Sequence, residues 1–286
     1  MLTRHTTKLD DQGVSESIGF LLIFSIMIAG IGLVTLYGYP LLLRQQVSAE
    51  EKIMEKNMIV LQNDIKSLAY KTVPFKETAL KIGGGSLTVF NSSYSPPSST
   101  LSISYTTTAT VIPVDSFQPG ELRYESVSAQ TDISLQNGAV VLRPRIDQGS
   151  SNGSVMLAEP RWFYDANPIT NTGTIVINLI SITSDNLMAK EGIGTVRMRM
   201  VGEPYYNYTE NVNPIVIVYT PLGQDYSVAW DNYIKKTFTN QPGLTFSPLV
   251  TNSPGTGSQL TYSLTPSGST SLTLVIKKYE VKIESI

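Results

Sequence analysis

Between Glu16 and Arg44 the chain carries no formal charge: Ser17 to Leu43 reads SIGFLLIFSIMIAGIGLVTLYGYPLLL. A helix needs about 20 mostly apolar residues to cross the hydrocarbon core of a bilayer, and this run exceeds that length. Helices that pack inside a soluble core normally keep a polar face, which is missing here. The run is therefore read as membrane-embedded, and every other assignment is made relative to it. No later segment approaches the apolar length required for a second crossing.

Composition narrows what the remainder can be. Hydrophobic residues make up 41% of the 286, so the rest is ordinary globular material, long enough to bury a real core. The formal net charge of -2 gives no electrostatic footprint for gathering phosphates, so no nucleic-acid partner is expected. Cysteine is absent, which excludes a disulfide framework, a thiolate nucleophile and a thiolate metal site. The single histidine, His5, lies in the short polar segment ahead of the apolar run and reads as a solvated tail residue.

Lys and Arg flank both ends of the run: Arg4 and Lys8 before it, then Arg44, Lys52 and Lys56 after it. Charge counting alone does not orient the span. The bulk of the chain beyond Leu43, with its uncharged Ser/Thr/Asn character, places the C-terminal part outside the cell membrane. The organisation expected is a cytoplasmic leader over 1–13, a transmembrane helix over 14–43, an amphipathic helical stalk over 44–73 and an extracellular β domain over 79–286.

The junction DDQGVSESIGF, Asp10 to Phe20, is the most specific stretch. It resembles the class III signal peptide of archaeal type IV pilins and archaellins, in which a short charged leader ends at a small residue, with Val-Ser-x-x-Ile-Gly and an apolar helix after it. The matching residues are Gly13, Val14, Ser15, Ile18 and Gly19. The resemblance implies that a prepilin peptidase cuts between Gly13 and Val14, so that the mature protein keeps its apolar helix. It also implies a role in helix assembly for Glu16, an acidic residue early in the mature helix, and for Gly19. Where the family has a basic residue before the cut, this chain has Gln12 after Asp10 and Asp11. An ordinary secretory leader would have a shorter apolar centre and an A-x-A-like site after it, neither of which is present.

Within the run, Gly19, Gly30, Gly32 and Gly38 remove side-chain bulk. They read either as close-approach positions for neighbouring helices or as the general enrichment of glycine in membrane helices. Pro40 lacks an N–H and its ring presses on the preceding turn, so the helix should kink or open near Gly38-Tyr39-Pro40.

From Arg44 to Thr72 helix formers dominate, and Met54, Met58, Leu61, Ile65 and Leu68 recur at gaps of four and three, placing them on one stripe. Such a seam can pair with a helix of another subunit or lie against the chain's own C-terminal domain. Its shortness favours the latter. Pro74 marks the exit from the helix.

Beyond Gly83, turn residues punctuate short β-branched or aromatic runs: Leu87–Phe90, Leu101–Ala109, Leu122–Ala129, Val140–Leu142, Thr174–Thr183, Thr195–Val201, Ile215–Thr220, Asp225–Trp230 and Ser271–Glu284. This pattern predicts an all-β, sandwich-like domain. Asn137-Gly138, ahead of Ala139-Val140-Val141, signals a hairpin because Asn-Gly supplies the positive φ values of a type I′ turn. Asn91–Thr100 and Thr251–Gln259 read as exposed loops, and Gly149–Gly153 as a possible domain boundary.

Chemistry finds few candidates. Asn91, Asn152 and Asn207 each open an Asn-x-Ser/Thr glycosylation pattern. With no histidine or cysteine after the apolar run, a Ser-His-Asp triad and a His-ligated zinc are excluded there. No cofactor or metal is expected, calcium on loop oxygens near Asp185-Asn186 being the one option noted. Asp147, Glu159, Asp165, Asp185 and Asp231 show no spacing that singles out a catalytic pair and read as solvated acids. The aromatic clusters Trp162-Phe163-Tyr164 and Tyr205-Tyr206-Asn207-Tyr208 suit either core packing and strand propensity, the favoured reading, or a sugar- or protein-binding surface.

The sequence therefore suggests a non-enzymatic cell-envelope protein resembling archaeal type IV pilins or pseudopilins: mainly β, with one long N-terminal α-helix. The partners expected are the membrane, a prepilin peptidase, and copies of itself or other pilin-like subunits. The alternative is a single-pass surface binding domain that does not assemble, with a membrane-tethered hydrolase as a distant third.

Overall fold

The computed structural model describes residues 11–71, 73–93, 99–107, 111–145 and 153–286, with the backbone alone for 11–16 and 113–115. The chain divides into two compact units, Met1–Ala49 and Glu50–Ile286.

The first unit is helical. Helix α1 spans Asp11–Leu33, a π-helical turn covers Val34–Gly38, and α2 begins at Tyr39 and runs to Lys71. The π turn answers to Pro40. A regular helix would drive the proline ring against the Leu36 carbonyl four residues back. Instead the turn widens, and the Tyr39 N–H reaches the Val34 carbonyl, five residues back. The break expected at Gly38-Tyr39-Pro40 thus takes the form of a π bulge.

The second unit starts within α2. Met54, Met58, Leu61 and Ile65 are fully buried and Leu68 nearly so, all against the unit's own sheet. Of the two partners open to this seam, the chain's own domain is the one it meets. The strands are β1 (Phe75–Phe90), β2 (Ser99–Thr106), β3 (Val111–Phe117), β4 (Glu121–Ser126), β5 (Thr131–Gln136), β6 (Ala139–Pro144), β7 (Val155–Ala158) and β8 (Phe163–Asn167). They continue as β9 (Thr172–Thr183), β10 (Met188–Met200), β11 (Tyr205–Thr209), β12 (Ile215–Pro221), β13 (Leu244–Pro248), β14 (Leu260–Pro266) and β15 (Ser271–Ser285).

Ten strands form one sheet in the order β7-β6-β5-β4-β1-β10-β15-β9-β8, with β11 also paired to β15. The second sheet is β13-β14-β12-β2-β3. β15 organises the larger sheet. Parallel β9 flanks Ser271–Lys282, β11 pairs with Leu274–Lys278 and β10 with Val281–Ser285. The Asn137-Gly138 hairpin forms as expected, with φ of 46° and 69° and Gln136 paired to Ala139. β6 pairs with β7 across the stretch around Gly149, so the boundary considered there does not divide the fold.

Alternation along these strands feeds two cores, as a two-residue period requires. On β9, Ile180 and Ile182 face α2, whereas Ile175, Ile177 and Leu179 face the second sheet. β15 serves both in succession: Leu272, Leu274 and Ile276 lie in the inter-sheet core, and Tyr279, Val281 and Ile283 pack under α2. The layers are therefore helix, large sheet, small sheet.

One segment departs from the strand expected of it. Asp225–Trp230 is not extended; Ser227–Phe238 forms helix α3. Tyr226, Ala229, Trp230, Tyr233, Ile234 and Phe238 are buried at helical spacing. Asp225 holds the start, its Oδ1 accepting from the Ser227 N–H at 2.8 Å and its Oδ2 from the Gly257 N–H at 2.8 Å.

Candidate functional site

Two features stand out, one in each unit. In the first unit, every side chain from Ser17 to Leu43 is exposed, Gly38 alone being intermediate. An apolar helix bare on all sides is what a lipid environment accommodates. Its hydroxyls are satisfied internally: Ser25 Oγ donates to the Leu21 carbonyl at 2.7 Å and Thr35 Oγ1 to the Ile31 carbonyl at 2.8 Å. Tyr37 and Tyr39, both exposed, sit toward the C-terminal end of the run, where amphipathic rings suit a membrane interface. At 1.5 Å per residue the run is about 40 Å long, enough to cross the hydrocarbon layer. This is the one helix among the described residues long and apolar enough to span a membrane, and it could anchor the protein there. Nothing lies within 4 Å of a Cβ built on Gly19, Gly30 or Gly32. Gly13, Val14 and Glu16 fall in α1, their side chains outside the described residues.

In the second unit, the large sheet is longer than the helix lying on it. α2 ends at Lys71, and beyond it the sheet face is only partly covered: Val176, Asn178 and Tyr279 are buried, whereas Phe163 and Tyr206 are exposed. A groove of about 960 Å³ results. Its floor is the continuation of the face that α2 covers elsewhere. Val176 and Asn178 of β9 share the parity of buried Ile180 and Ile182; Val275 and Lys277 of β15 share that of Tyr279. Phe163 lies opposite Val176, and Tyr206 opposite Lys277. The wall is the end of α2, chiefly Tyr70. A smaller pocket lined by Lys66, Lys71 and Arg161 adjoins it and shares Tyr70.

Four aromatic rings and two cations stand among a largely aliphatic lining. Tyr70 and Tyr279 meet edge to face at 5.3 Å. The Arg161 guanidinium lies 4.9 Å from the Tyr70 ring centre and Lys277 Nζ 5.3 Å from that of Tyr206. Burial, and after it the nearby Arg161 charge, holds the Lys66 ammonium below its usual pKa. Burial, with Tyr206 beside it, pushes the Tyr279 phenol up to about 12. Glu203 is the only carboxylate among the lining residues of either pocket.

The two aromatic clusters thus part company. Trp162 is core: it packs 5.6 Å from Trp230, its Nε1 donates to the Asn178 carbonyl at 2.8 Å, and its N–H to Tyr233 Oη at 3.1 Å. Phe163, Tyr205, Tyr206 and Tyr208 are exposed. Of the favoured reading, the strand half holds for these four, which lie in β8 and β11, and core packing fails. The cause is pairing: their parity puts Phe163, Tyr206 and Tyr208 on the partly covered end of the sheet, and no sequence pattern states where a helix stops covering it. Arg161, Lys277, Tyr70 and Tyr279 carry no sequence signal of their own either, since they converge from α2, β15 and the turn before β8.

The remaining candidates are scattered. Asn91 Nδ2 donates to the Ser184 carbonyl at 2.6 Å while its Oδ1 accepts from the Ser93 N–H at 3.0 Å. Asn207 Nδ2 donates to Tyr105 Oη at 3.2 Å, and Thr209 Oγ1 donates to its Oδ1 at 3.2 Å. Asn152 and Asp147 lie outside the described residues. Glu159 pairs with Lys236 at 2.6 Å, Asp185 with Lys282 at 2.7 Å, and Asp231 with Lys235 at 2.7 Å. These acids are held apart by separate lysines. Among the described residues no three acidic or histidine side chains gather as metal ligands.

Residues 12–246 match the model of a family described as a family of unknown function, DUF7289. No curated protein and no solved structure matches the chain.

Proposed function

The chain belongs to the DUF7289 family, of unknown function, and from that premise we propose that it is a non-enzymatic, single-pass envelope protein built like an archaeal type IV pilin. Its apolar helix anchors it and serves as its assembly surface, and its β-rich unit stands outside the membrane. The observation that carries this reading is the bare apolar helix from Ser17 to Leu43. The burial of α2 sharpens it. The stripe Met54, Met58, Leu61, Ile65 and Leu68 is occupied by the protein's own sheet, which leaves the bare run before Arg44 as the most extensive apolar surface open to helix bundling between subunits. Gly19, Gly30 and Gly32, with open space around them, let a second backbone approach there.

Assembly would then replace lipid contacts by helix–helix packing, after a prepilin peptidase cuts between Gly13 and Val14. Mass spectrometry of the native N-terminus tests this: a chain beginning at Val14 supports the pilin route, whereas an intact leader in membrane extracts removes it. Glu16→Lys should abolish recovery of sheared, high-molecular-weight assemblies while leaving membrane fractionation unchanged. Equal loss of both would count against an assembly role for Glu16. The second reading, an anchored binding domain that does not assemble, draws support from the groove at the end of α2 and is what an uncleaved, monomeric chain would favour.

A further inference from the structure

The groove at the end of α2 raises a question independent of anchoring or assembly: what its cations are for. Arg161, Lys66, Lys71 and Lys277 line it and its neighbour. None of the four forms an ion pair among the described residues. Glu159, whose charge reaches Lys66, is taken up by Lys236, and Lys66 Nζ is left to donate to the Glu159 main-chain carbonyl at 3.1 Å. The Arg161 guanidinium carbon lies 4.9 Å from the Tyr70 ring centre. Its side chain is exposed and forms no hydrogen bond or ion pair among the described residues, so its N–H donors are open to an acceptor. Lys277 is likewise set over Tyr206.

We propose that this groove binds a carboxylated oligosaccharide, a chain of sugars that includes uronic acids. Each part of such a ligand has a counterpart. A carboxylate fits the open N–H donors of Arg161, where a bidentate, charge-assisted pair can form. The C–H faces of pyranose rings suit the exposed rings of Phe163 and Tyr206, which stand on the sheet opposite Val176 and Lys277. Sugar hydroxyls can donate to Glu203 and accept from Lys277. The volume of about 960 Å³ accommodates a few rings and sits at the upper end of small-molecule sites. A nucleic-acid backbone fits less well: among the described residues Arg161 and Lys277 are the only cations lining the groove itself, short of the basic track that successive phosphates follow.

The test is calorimetric titration of the full chain, in non-ionic detergent, with trigalacturonate, maltotriose and a short single-stranded DNA. Trigalacturonate should bind at least tenfold more tightly than neutral maltotriose, and more tightly than the DNA. Arg161→Ala should weaken it by roughly tenfold to a hundredfold, the range for losing a charged hydrogen bond. Because Arg161 and Tyr206 are both exposed, neither substitution should disturb folding, which circular dichroism checks. Tyr206→Ala should weaken trigalacturonate and maltotriose alike, by several-fold. Absence of trigalacturonate binding, equal affinity for maltotriose, tighter binding of DNA, or an Arg161→Ala protein that binds as before would each overturn the proposal.

Discussion

Tyr226 and Tyr233 are buried in the inter-sheet core, and burial is the first cause raising each phenol, to about 12. An unfolded tyrosine titrates near 10. The folded value is the higher one, so these groups contribute their full stability below about pH 10 and lose it as pH rises toward about 12, where the unfolded chain ionises and the folded chain does not. Each should cost on the order of 1 kcal/mol per pH unit across that window. The urea midpoint should accordingly fall between about pH 9.5 and 11.5. A midpoint constant over that range would show that both phenols reach solvent. At this scale some positions are legible in the sequence and others are not. Asn137-Gly138 is, because a type I′ turn asks for that dipeptide. Gly83-Gly84-Gly85 is not. It reads as a break, yet it lies inside β1, where the pairing with β10 shifts register between Ile82 and Leu87 and Gly84 takes φ of 65°. Glycine is required at Gly85 because a Cβ there would lie 2.2 Å from the Glu125 carbonyl oxygen.

Among the elements, α2 carries the clearest sequence signal and the clearest consequence. Its stripe follows the helical period, so the same five residues that the spacing selects are those buried against the large sheet. Leu61 is fully buried there, while Val60 next to it is 46% exposed. Leu61→Ala should lower unfolding free energy by about 2–5 kcal/mol, whereas Val60→Ala should stay within about 0.5 kcal/mol. Urea denaturation of the two variants measures the contrast, and similar small losses in both would mean that the seam is not seated. α3 shows the opposite case. Tyr226, Ala229, Trp230, Tyr233 and Ile234 have helical spacing, but Asp225–Trp230 alone is too short to display it, and its Tyr, Val and Trp favour a strand reading. The groove is illegible for a related reason. Its residues come from α2 and the segment after it, the Arg161 turn, β8, β9, the end of β10 with the loop that carries Glu203, β11 and β15, and the pairing of β15 with both β9 and β11 places the strand residues on one surface.

For the molecule as a whole, the decisive fact is where the cores draw their residues. The helix-side core begins at Met54 and the inter-sheet core at Leu101. Among the described residues none before Glu50 contributes to either, and the second unit is Glu50–Ile286. The apolar helix should therefore be dispensable for folding and indispensable for attachment. A chain starting at Glu50 retains the whole buried stripe of α2 and both sheets, so its cores should stay intact. It is expected to unfold in one cooperative transition, to keep the far-ultraviolet signature of a β-rich protein, and to partition into the aqueous phase of a detergent phase separation, while the full chain goes to the detergent phase. Loss of cooperativity in the shortened chain would show that the first unit supports the second. Its partition into detergent would place a membrane-binding surface in the β-rich unit. Full-length protein remaining aqueous would remove the anchor itself, because an apolar surface of that size, uncovered on every side, has no stable place in water.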